Sequence, residues 1–555
     1  MPVWSIDREK CIGCGTCIES CPMDVFRLDT LVSDREECAP CKLACPLGVN
    51  PREYHNLIKM DLMDEAARLL ARDHSMPVIT GWLCPHPCET ECSRNEVDTP
   101  VNINGLEQYL GERLLNLEPI LPEQNNKGGV AIIGSGPAGL SAAYHLSSIG
   151  YQVTVYEKEA KVGGLLRTAI PTFRLPEEVL DKQIAVYEKM GIKFETKTRF
   201  GRDITKKELE SQGYKAFIAA TGASKPIDFF VPGSEAEGIT SAIEFLTGAK
   251  AGEINEISGK VSVIGGGSVA MDAARTAVRL GADHVIVICL ECIEPNLKDS
   301  MLALTEEIEA AIAEGIEINP CTGVDAYEVT EGRVSGIKVV DCLSVRDEDG
   351  LFNPVYGDST PQVITTDQVI LAIGQTADEE LVLEEFTTSK SGFIQADKVS
   401  MQMDSNLFAA GETVVGPSIV VEALAAGKRA ALAVDLFIQG KELPKEINDS
   451  SHITENLPGE EIHKAGRIDR ESLPVEERKG NFQGTLIPFT SYQAWMEAQR
   501  CLTCGSRSKI AYMDDCQVCR LCQLYCPTDA IEVTEGILMG ALCSWDVVNL
   551  GKERA

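Results

Sequence analysis

Two stretches of the chain combine short apolar runs and amphipathic segments in the same order. The residues GGVAIIGSGPAGLSAAYHLSSIGYQVTVYEK, near position 130, predict a strand, a glycine turn, a helix and a second strand. The residues GKVSVIGGGSVAMDAARTAVRLGADHVIVICLE, near position 260, repeat that order. Strands that alternate with helices in this way are typical of a parallel sheet with helices on its faces, so the central part of the chain is predicted to be an α/β protein.

The pattern changes on both sides of this central part. Residues 34–125 are predicted to be mostly helical, as in REYHNLIKMDLMDEAARLLARD. Beyond position 440 the polar stretch KELPKEINDSSHITENLPGEE is typical of a linker or a wrapping segment.

Length, composition and charge limit the possible classes of protein. The chain has 555 residues, of which 44% are hydrophobic and 24% charged, as expected for a globular protein of about three or four domains. No run of about 18 or more apolar residues predicts a membrane helix, and the first ten residues lack the apolar core of a signal peptide, so we expect a cytoplasmic protein. The net charge of −33 argues against nucleic acid or anionic membranes as partners. It suits either simple solubility or the steering of a positively charged protein surface.

The first glycine turn has the pattern of a dinucleotide-binding loop. Gly134, Gly136 and Gly139 follow the apolar strand at the spacing that allows a tight turn, close approach of the backbone to a pyrophosphate, and close packing of helix on strand. The N-terminus of the helix then faces the phosphate groups. Glu157 ends the next strand, where a carboxylate can accept a hydrogen bond from a ribose hydroxyl. The sequence therefore predicts an adenine dinucleotide at this turn.

A second turn of the same kind follows the strand VSVI and contains Gly265, Gly267 and Ala270. Two such turns in one chain indicate a flavin and a nicotinamide, between which a hydride can pass. Because the cofactors carry this reaction, we predict no catalytic residue apart from those that bind cofactors.

The cysteines indicate iron–sulfur chemistry. Each end of the chain carries the ligand spacing C-x2-C-x2-C-x3-C-P of a bacterial [4Fe–4S] ferredoxin, in the runs Cys11, Cys14, Cys17, Cys21 and Cys516, Cys519, Cys522, Cys526. Since the 21 cysteines of this large chain cluster at such spacings, metal ligation is favoured over a disulfide scaffold.

The two ferredoxin-like runs raise the question of how they pair. In a two-cluster ferredoxin the fourth cysteine of each run binds the cluster of the other run. One hypothesis is therefore that both ends of this chain fold together as the halves of one ferredoxin, with Cys21 and Cys526 exchanged. Pairing with another subunit or a second copy, or a cluster held by all four cysteines of one run, are the alternatives.

Residues 34–440 resemble the family of the glutamate synthase small subunit. That family includes the N-terminal part of dihydropyrimidine dehydrogenase and the larger subunit of NADH-dependent ferredoxin:NADP oxidoreductase. The resemblance rests on the motifs ECAPCKLACPLGVNPREY, CPHPCETECSR, GGLLRTAIPTFRLP and GPSIVVEALAAGKRAA. It implies an α/β fold with two nested dinucleotide-binding (Rossmann-like) domains, preceded by a helical iron–sulfur domain and here flanked by ferredoxin-like α+β segments.

The resemblance also implies cofactor contacts. FAD is expected at the first turn, supported by the stretches VGGLL, AATGA and LFAAGE, and the further predicted contacts are Gly164, Leu165, Thr221, Gly222, Gly374, Gly411 and Glu412. The family usually has Asp where this chain has Glu412.

The second turn departs from the family at the residues that follow its next strand. The family commonly reads Tyr-Arg-Arg there, and those arginines hold the 2′-phosphate of NADP, whereas this chain reads Cys289-Leu290-Glu291. A carboxylate repels a 2′-phosphate and suits a free 2′-hydroxyl, so we predict NAD(H) over NADP(H). The alternative is that Glu291 is a solvated strand-end residue and another basic group binds the phosphate.

The predicted helical domain has six further cysteines, two short of the eight that two all-cysteine clusters need: Cys38, Cys41, Cys45, Cys84, Cys88 and Cys92. In relatives one ligand is a non-cysteine side chain on the following helix, a position held here by Gln108, or by Glu107 beside it. We predict three to four [4Fe–4S] clusters in all, the alternative for this domain being one cluster and two inert thiols. Cys501 and Cys504 are left open: with Cys543 they form another cluster or a zinc site, or they are structural thiols.

These patterns divide the chain into seven predicted parts: a ferredoxin-like cluster segment (1–33), a helical iron–sulfur domain (34–125), the first part of an FAD domain (126–255), an NAD domain (256–368), the second part of the FAD domain (369–440), a linker or wrapping segment (441–494) and a ferredoxin-like cluster domain (495–555).

The predicted function is that of an NAD(H)-linked iron–sulfur flavoprotein subunit. It would pass electrons between NADH, FAD and the clusters, to or from a larger catalytic oxidoreductase subunit or a ferredoxin in a hetero-oligomeric complex. The alternatives are a flavin-based electron-bifurcating subunit and a subunit that wires or bridges a complex through its ferredoxin ends. A plain glutamate synthase small subunit is disfavoured because it needs no cysteine runs at both ends.

Overall fold

The computed structural model describes residues 3–6, 17, 20, 26–28, 37–122, 126–295, 297–358, 360–377, 386, 388–389, 392–445, 452–453, 464–504, 508–510, 521–526 and 531–534. The described helices are α1 (Pro40–Ala44), α2 (Pro51–Lys59), α3 (Met63–Asp73), α4 (Pro77–Leu83), α5 (Pro87–Thr90), α6 (Ile103–Leu114), α7 (Pro137–Ser148), α8 (Leu165–Thr168), α9 (Glu177–Lys189), α10 (Lys206–Ser211), α11 (Ala242–Ala251), α12 (Ser268–Arg279), α13 (Thr305–Ala313), α14 (Glu412–Val415), α15 (Val420–Ile438), α16 (Val475–Arg478), α17 (Ser491–Gln499) and α18 (Leu521–Leu524), with a 3₁₀ turn at Ser93–Glu96. The described strands are β1 (Val3–Ile6), β2 (Phe26–Leu28), β3 (Glu37–Cys38), β4 (Gly129–Ile133), β5 (Gln152–Tyr156), β6 (Lys193–Glu195), β7 (Tyr214–Ala219), β8 (Lys225–Pro226), β9 (Ile239–Ser241), β10 (Lys260–Ile264), β11 (His284–Ile288), β12 (Glu317–Asn319), β13 (Thr322–Thr330), β14 (Arg333–Arg346), β15 (Phe352–Tyr356), β16 (Gln362–Thr365), β17 (Gln368–Leu371), β18 (Gln375–Thr376), β19 (Gln402–Asp404), β20 (Leu407–Ala409), β21 (His452–Ile453), β22 (Ser508–Ile510) and β23 (Ile531–Thr534).

The chain divides into two compact units. The first contains Met1–Glu118, Glu446–Arg470 and Pro488–Ala555, and the second contains Pro119–Lys445 and Glu471–Ile487. Of the helices that the structure describes, none has the length and apolar character needed to cross a membrane.

The second unit is built on two parallel sheets. The first has the strand order β19-β20-β7-β4-β5-β6, in which β20, β7, β4, β5 and β6 are parallel. Both neighbours of β4 align at its end, where Ile133 pairs with Ala219 and Tyr156. Val130, Ala131 and Ile132 are fully buried, as expected for the centre of a parallel sheet whose two faces are both covered.

The second parallel sheet is nested inside the first. Its order is β12-β11-β10-β17-β9, and its strands come between β7 and β20 in the chain. An antiparallel group, β13, β14 and β15 with β16 on β14, is inserted before β17. The predicted α/β fold with two nested dinucleotide-binding domains is confirmed.

The first unit contains the predicted helical domain. Proline occupies one of the first two positions of α1, α2, α4 and α5, where its missing N–H costs nothing and its fixed backbone angle favours the helix. The side chain of Thr490 caps α17 in a capping box with Gln493. α17 packs against α2 and α6, so a helix from the C-terminal part of the chain belongs to this domain.

Strands from the two ends of the chain pair with one another in the first unit. β1 runs antiparallel to β23, with Val3 opposite Thr534, and β2 runs antiparallel to β22, with Phe26 opposite Ile510. These strands border the two ferredoxin-like runs, so the ends associate within one chain as the first hypothesis requires. The exchange of ligands stays a prediction, because it involves residues outside the described ones: Cys11, Cys14, Cys21, Cys516 and Cys519.

Candidate dinucleotide and iron–sulfur sites

A cavity of about 810 Å³ in the second unit is reached by both glycine turns. At the first turn Gly134 has a φ of 100°, and a Cβ atom there would lie 2.3 Å from the carbonyl oxygen of Ala220. A Cβ on Gly139 would lie 2.1 Å from the carbonyl oxygen of Gly134, so α7 can pack this closely against the turn only with glycine at position 139. Around Gly136, in contrast, nothing lies within 4 Å of a built Cβ, so the turn leaves room for a phosphate.

The second turn has the same geometry. Gly265 has a φ of 134°, and its Cβ would lie 2.3 Å from the carbonyl oxygen of Ala372, whereas the position around Gly267 is open. Ala270 is fully buried on α12, as the packing position of the motif requires. The backbone geometry of both turns therefore fits a bound pyrophosphate.

The acidic residue of the first turn lies where the sequence predicts it. Glu157 follows β5 and lines the cavity. Its carboxylate accepts hydrogen bonds from the backbone N–H groups of Ser135 (3.0 Å) and Glu159 (2.9 Å). These bonds hold the carboxylate against the glycine turn, next to the space that a ribose would occupy.

Most of the other predicted flavin contacts also line this cavity: Gly164, Leu165, Thr221, Gly222, Gly374 and Glu412. Gly411 does not line the cavity. It has a φ of 82° and packs against α7, where an added Cβ would lie 2.7 Å from the side chain of Ala138. Burial raises the pKa of Glu412, whose carboxylate accepts a hydrogen bond from the backbone N–H of Ser418 at 3.1 Å.

Glu291 lies against the second turn. It lines the cavity, and a Cβ built on Gly266 would lie 2.6 Å from its Oε2. Burial raises the pKa of this carboxyl group, and the positive charge of Arg346 opposes that shift. A carboxylate therefore occupies the end of the second nucleotide strand, as the sequence indicates.

A buried ion network beside the cavity was not predicted. Arg174 bonds to Asp272, 2.9 Å away, and to Glu307, and Asp272 itself lines the cavity on α12. Burial raises the pKa of Asp272 to about 6. In the motif GGLLRTAIPTFRLP, Arg174 lies between the apolar residues Phe173 and Leu175. A charged residue in such a position could have indicated a buried ion pair.

The cysteines of the helical domain fall into two groups. The first contains Cys45, Cys84 and Cys88. Burial raises the pKa of each of these thiols, and the negative charge of Glu107 raises it further. The pKa of Cys45 reaches about 11. Glu107 accepts a hydrogen bond from the hydroxyl of Tyr54 at 3.2 Å, and burial raises its own pKa to about 7. The charge of one carboxylate therefore acts on all three thiols.

Gln108, the predicted non-cysteine ligand, is bonded through one atom of its amide, and its buried Nε2 has no hydrogen-bond partner among the described residues. Its Oε1 accepts a hydrogen bond from Arg470 at 2.7 Å, and its side chain packs against Gly81. Arg470 also donates to Asn104 and to the carbonyl of Gly81. Arg470 lies in the segment that was predicted to be a linker or a wrapping segment, and its polar sequence alone does not indicate these contacts with the helical domain.

The second group joins cysteines that are far apart in the sequence. Cys41, Cys92, Cys501 and Cys504 line one small cavity. Burial raises the pKa of Cys41 well above its ordinary value, and negative charge on Cys501, Cys92 and Cys504 would raise it further. The side chain of Cys38 lies outside the described residues. Within the part of the chain that the structure describes, no three His, Cys, Asp or Glu side chains are arranged to hold a single metal ion.

Comparison with known proteins agrees with this geometry. Residues 128–427 match the family described as pyridine nucleotide-disulphide oxidoreductase. The chain belongs to this family. Residues 34–118 match the family described as dihydropyrimidine dehydrogenase domain II, 4Fe-4S cluster, and residues 4–27 match a 4Fe-4S binding domain.

Three relatives of this oxidoreductase have assigned names. The NADP(+)-dependent formate dehydrogenase subunit beta of Moorella thermoacetica is 31% identical over 503 residues, covering 84% of this chain and 70% of that protein. The NADPH-Fe(3+) oxidoreductase subunit beta of Geobacter sulfurreducens is 30% identical over 511 residues, covering 84% and 75%. The NAD-dependent dihydropyrimidine dehydrogenase subunit PreT of Escherichia coli O157:H7 is 34% identical over 411 residues, covering 72% and 92%.

Solved structures match this chain at lower similarity. FprA from Mycobacterium tuberculosis in complex with NADPH is 15% identical, with a TM-score of 0.48, over 56% of this chain and 85% of that one. The resemblance to the glutamate synthase small subunit family is confirmed, since a glutamate synthase small chain of Mycobacterium tuberculosis also matches, with 30% identity over 441 residues, covering 74% of this chain and 88% of that protein. This oxidoreductase is therefore an iron–sulfur flavoprotein of that family.

Proposed function

We propose that this oxidoreductase is an NAD(H)-linked subunit that passes electrons between NADH, FAD and [4Fe–4S] clusters, to or from a larger catalytic subunit or a ferredoxin. The observation that carries the proposal is the single cavity that both glycine turns reach. Two dinucleotides bound at opposite turns of one cavity can place their reactive rings together, which hydride transfer requires. FAD and the nicotinamide supply that transfer, and the side chains bind and orient them.

The preference for NAD(H) depends on Glu291. A carboxylate at the end of the nucleotide strand can accept a hydrogen bond from a free 2′-hydroxyl and repels a 2′-phosphate. The names of the relatives include both NADP(+)-dependent and NAD-dependent enzymes, so the residue at this position, rather than family membership, supports the proposal.

For the clusters, the charge of Glu107 acts on Cys45, Cys84 and Cys88, which favours Glu107 over Gln108 as their non-cysteine ligand. A carboxylate among three thiols can take the fourth position of a cluster, whereas Gln108 bonds to Arg470. The paired strands of the chain ends support a two-cluster ferredoxin module within one chain. When bound, such clusters would supply one-electron transfer next to the two-electron chemistry of the flavin.

A partner subunit is proposed from the relatives. Two of them are named as beta subunits, and the clusters of this chain would connect the flavin to such a partner. The net charge of −33 favours a partner surface with positive charge.

The test is an anaerobic titration of the reconstituted protein with NADH and, separately, with NADPH. Flavin bleaching and the EPR signals of the clusters are followed together. We expect NADH to reduce the flavin and most clusters at lower concentration than NADPH does. If NADH reduces the flavin but leaves the clusters oxidised until a stronger reductant is added, the bifurcation alternative replaces the relay.

The role of Glu291 is tested by Glu291→Gln. Because a hydrogen bond to a charged group contributes about 1.5 to 3 kcal/mol, the preference for NADH over NADPH is expected to fall roughly tenfold or more. Glu348→Gln, which removes an exposed carboxylate that does not line the cavity, is the matched control and should leave the preference unchanged. Preference of the wild type for NADPH, or an unchanged preference in Glu291→Gln, would contradict the assignment.

A further inference from the structure

We infer that Cys501 and Cys504 complete a [4Fe–4S] site with Cys41 and Cys92, which makes residues from the two ends of the sequence ligands of one cluster. The inference rests on the proposal that this unit binds iron–sulfur clusters. All four thiols line the same small cavity, and none of them is in a disulfide. Four cysteines are the ligand set of such a cluster, in which each thiolate binds a different iron.

A second observation points to a bound group in this cavity. His55 lines it and is 1% exposed, yet neither of its ring nitrogens has a hydrogen-bond partner in the described structure. An imidazole without partners is costly to bury, and sulfur atoms of a cluster or of its cysteines are acceptors for a ring N–H. The cavity therefore contains both the ligands of a cluster and an unused donor.

The segment that carries Cys501 and Cys504 is held firmly in the first unit. Lys59 donates to the carbonyl of Cys501 at 2.8 Å, and Arg52 donates to the carbonyl of Cys504 at 3.3 Å. The thiol of Cys504 lies 3.4 Å from the hydroxyl of Ser93, next to Cys92. Since α17 leads directly into this segment and packs on α2 and α6, the two thiols are brought to the cavity by ordered structure.

The charges around the cavity fit a negatively charged group. Arg52 and Arg94 line it and are 2% and 3% exposed, and Arg94 donates to the carbonyl of Arg500 at 2.8 Å. Asp98 forms ion pairs with Arg94 and Arg500, and Glu497 forms one with Arg500. Guanidinium groups beside the cavity would attract the negative charge of a cluster held by four thiolates.

This assignment also resolves the shortage of ligands in the helical domain. With Cys501 and Cys504 the helical domain has two ligand sets, one of Cys41, Cys92, Cys501 and Cys504 and the other of Cys45, Cys84, Cys88 and Glu107. Neither set then needs Cys38. In the four-thiol set, the pair Cys501 and Cys504 comes from a segment more than four hundred residues beyond Cys92, so the complete site forms only when that segment has docked.

The experiment compares the full chain with the double variant Cys501→Ser/Cys504→Ser after anaerobic reconstitution. Iron and acid-labile sulfide are measured per chain, together with flavin content and cluster EPR signals. We expect the variant to lose about four iron and four sulfide per chain, since a [4Fe–4S] cluster is lost, and to keep its flavin, because the flavin turn lies in the second unit. Cys321→Ser, which removes an exposed cysteine of the second unit, is the control and should keep all its iron.

A second measurement needs no variant. The iron-loaded wild type is treated with iodoacetamide before and after chelation of iron, and the modified cysteines are mapped by mass spectrometry. We expect Cys41, Cys92, Cys501 and Cys504 to be protected together and released together. Unchanged iron in the double variant, alkylation of Cys501 and Cys504 while Cys41 stays protected, or a disulfide between Cys501 and Cys504 in the iron-loaded protein would each overturn the inference. A wild type that binds no iron at all would overturn the proposed function as well.

Discussion

Replacing Glu314 by glutamine is expected to destabilise the second unit by about 3 to 5 kcal/mol, the usual effect of removing one partner from a buried ion pair. The carboxylate accepts hydrogen bonds from Arg275 at 3.1 and 2.8 Å and from Arg279 at 2.6 and 3.0 Å. Its side chain is 0% exposed, and those of the two arginines are 4% and 0% exposed. Both arginines lie on α12, the helix that begins at the second glycine turn.

The magnitude follows from what glutamine leaves behind. Its amide oxygen can still accept, but its NH₂ group faces guanidinium donors, and two buried positive charges lose their counter-charge. A loss of about 3 kcal/mol changes the equilibrium between folded and unfolded states by roughly a hundredfold. The ring of Phe173, whose centroid lies 4.0 Å from the Arg279 guanidinium carbon, remains in the variant and offsets only a small part of this cost.

The assay is urea unfolding followed by flavin fluorescence. This signal reports the second unit, whereas the four tryptophans, Trp4, Trp82, Trp495 and Trp545, all belong to the first unit. The matched control is Glu237→Gln, which breaks an ion pair with Arg333 whose side chains are 75% and 62% exposed. An exposed pair of this kind contributes about 0 to 1 kcal/mol. Equal, small shifts of the unfolding midpoint in both variants would refute the reasoning.

The same network predicts a dependence on pH. Burial alone would raise the pKa of Glu314, but the hydrogen bonds and charges of Arg279 and Arg275 hold it below its ordinary value. The stabilising contribution is therefore fully present above the pKa of an unfolded glutamate, about 4.3, and is lost as the pH falls through the folded value. The difference in stability between wild type and Glu314→Gln should shrink accordingly in acid.

Three further predictions concern single residues. Gly134→Ala is expected to lower stability by about 2 kcal/mol or more, because its Cβ would meet a carbonyl oxygen at 2.3 Å with φ at 100°. Gly136→Ala should leave the flavin-free protein as stable as the wild type but weaken flavin binding, measured by fluorescence titration, since its Cβ would take the open space beside the turn. Hydrogen bonds from Arg94 hold the pKa of Asp98 well below its usual range, so Asp98→Asn should destabilise the first unit at pH 7, and tryptophan-monitored unfolding should show this loss vanish in strong acid. Asp203→Asn is the control, because the carboxylate of Asp203 is exposed. An equal loss of stability in Asp203→Asn would contradict the idea that the partly buried carboxylate of Asp98 contributes more than an exposed one.

The sequence by itself determined the features that depend on neighbouring residues. Each glycine turn directly follows an apolar strand and begins a helix, and Gly134 and Gly265 have φ angles of 100° and 134°, a backbone conformation that favours glycine. Glu157 and Glu291 lie at strand ends fixed by the two-residue period of the strand. The nested α/β fold and the family could be predicted from these local patterns for that reason.

Only the tertiary structure decided which distant residues meet. Glu107 and Gln108 are adjacent in the sequence, but successive helix positions point about 100° apart, so packing alone places Glu107 with the thiols and Gln108 with Arg470. The pairing of β1 with β23 selects one of several arrangements that the two cysteine runs left open. The approach of Cys501 and Cys504 to Cys41 and Cys92 depends on the docking of α17. The spacing of residues in the sequence indicates ligands that share a loop or a helix. Contacts between residues hundreds of positions apart depend instead on how whole helices and strands pack, which no local sequence pattern indicates.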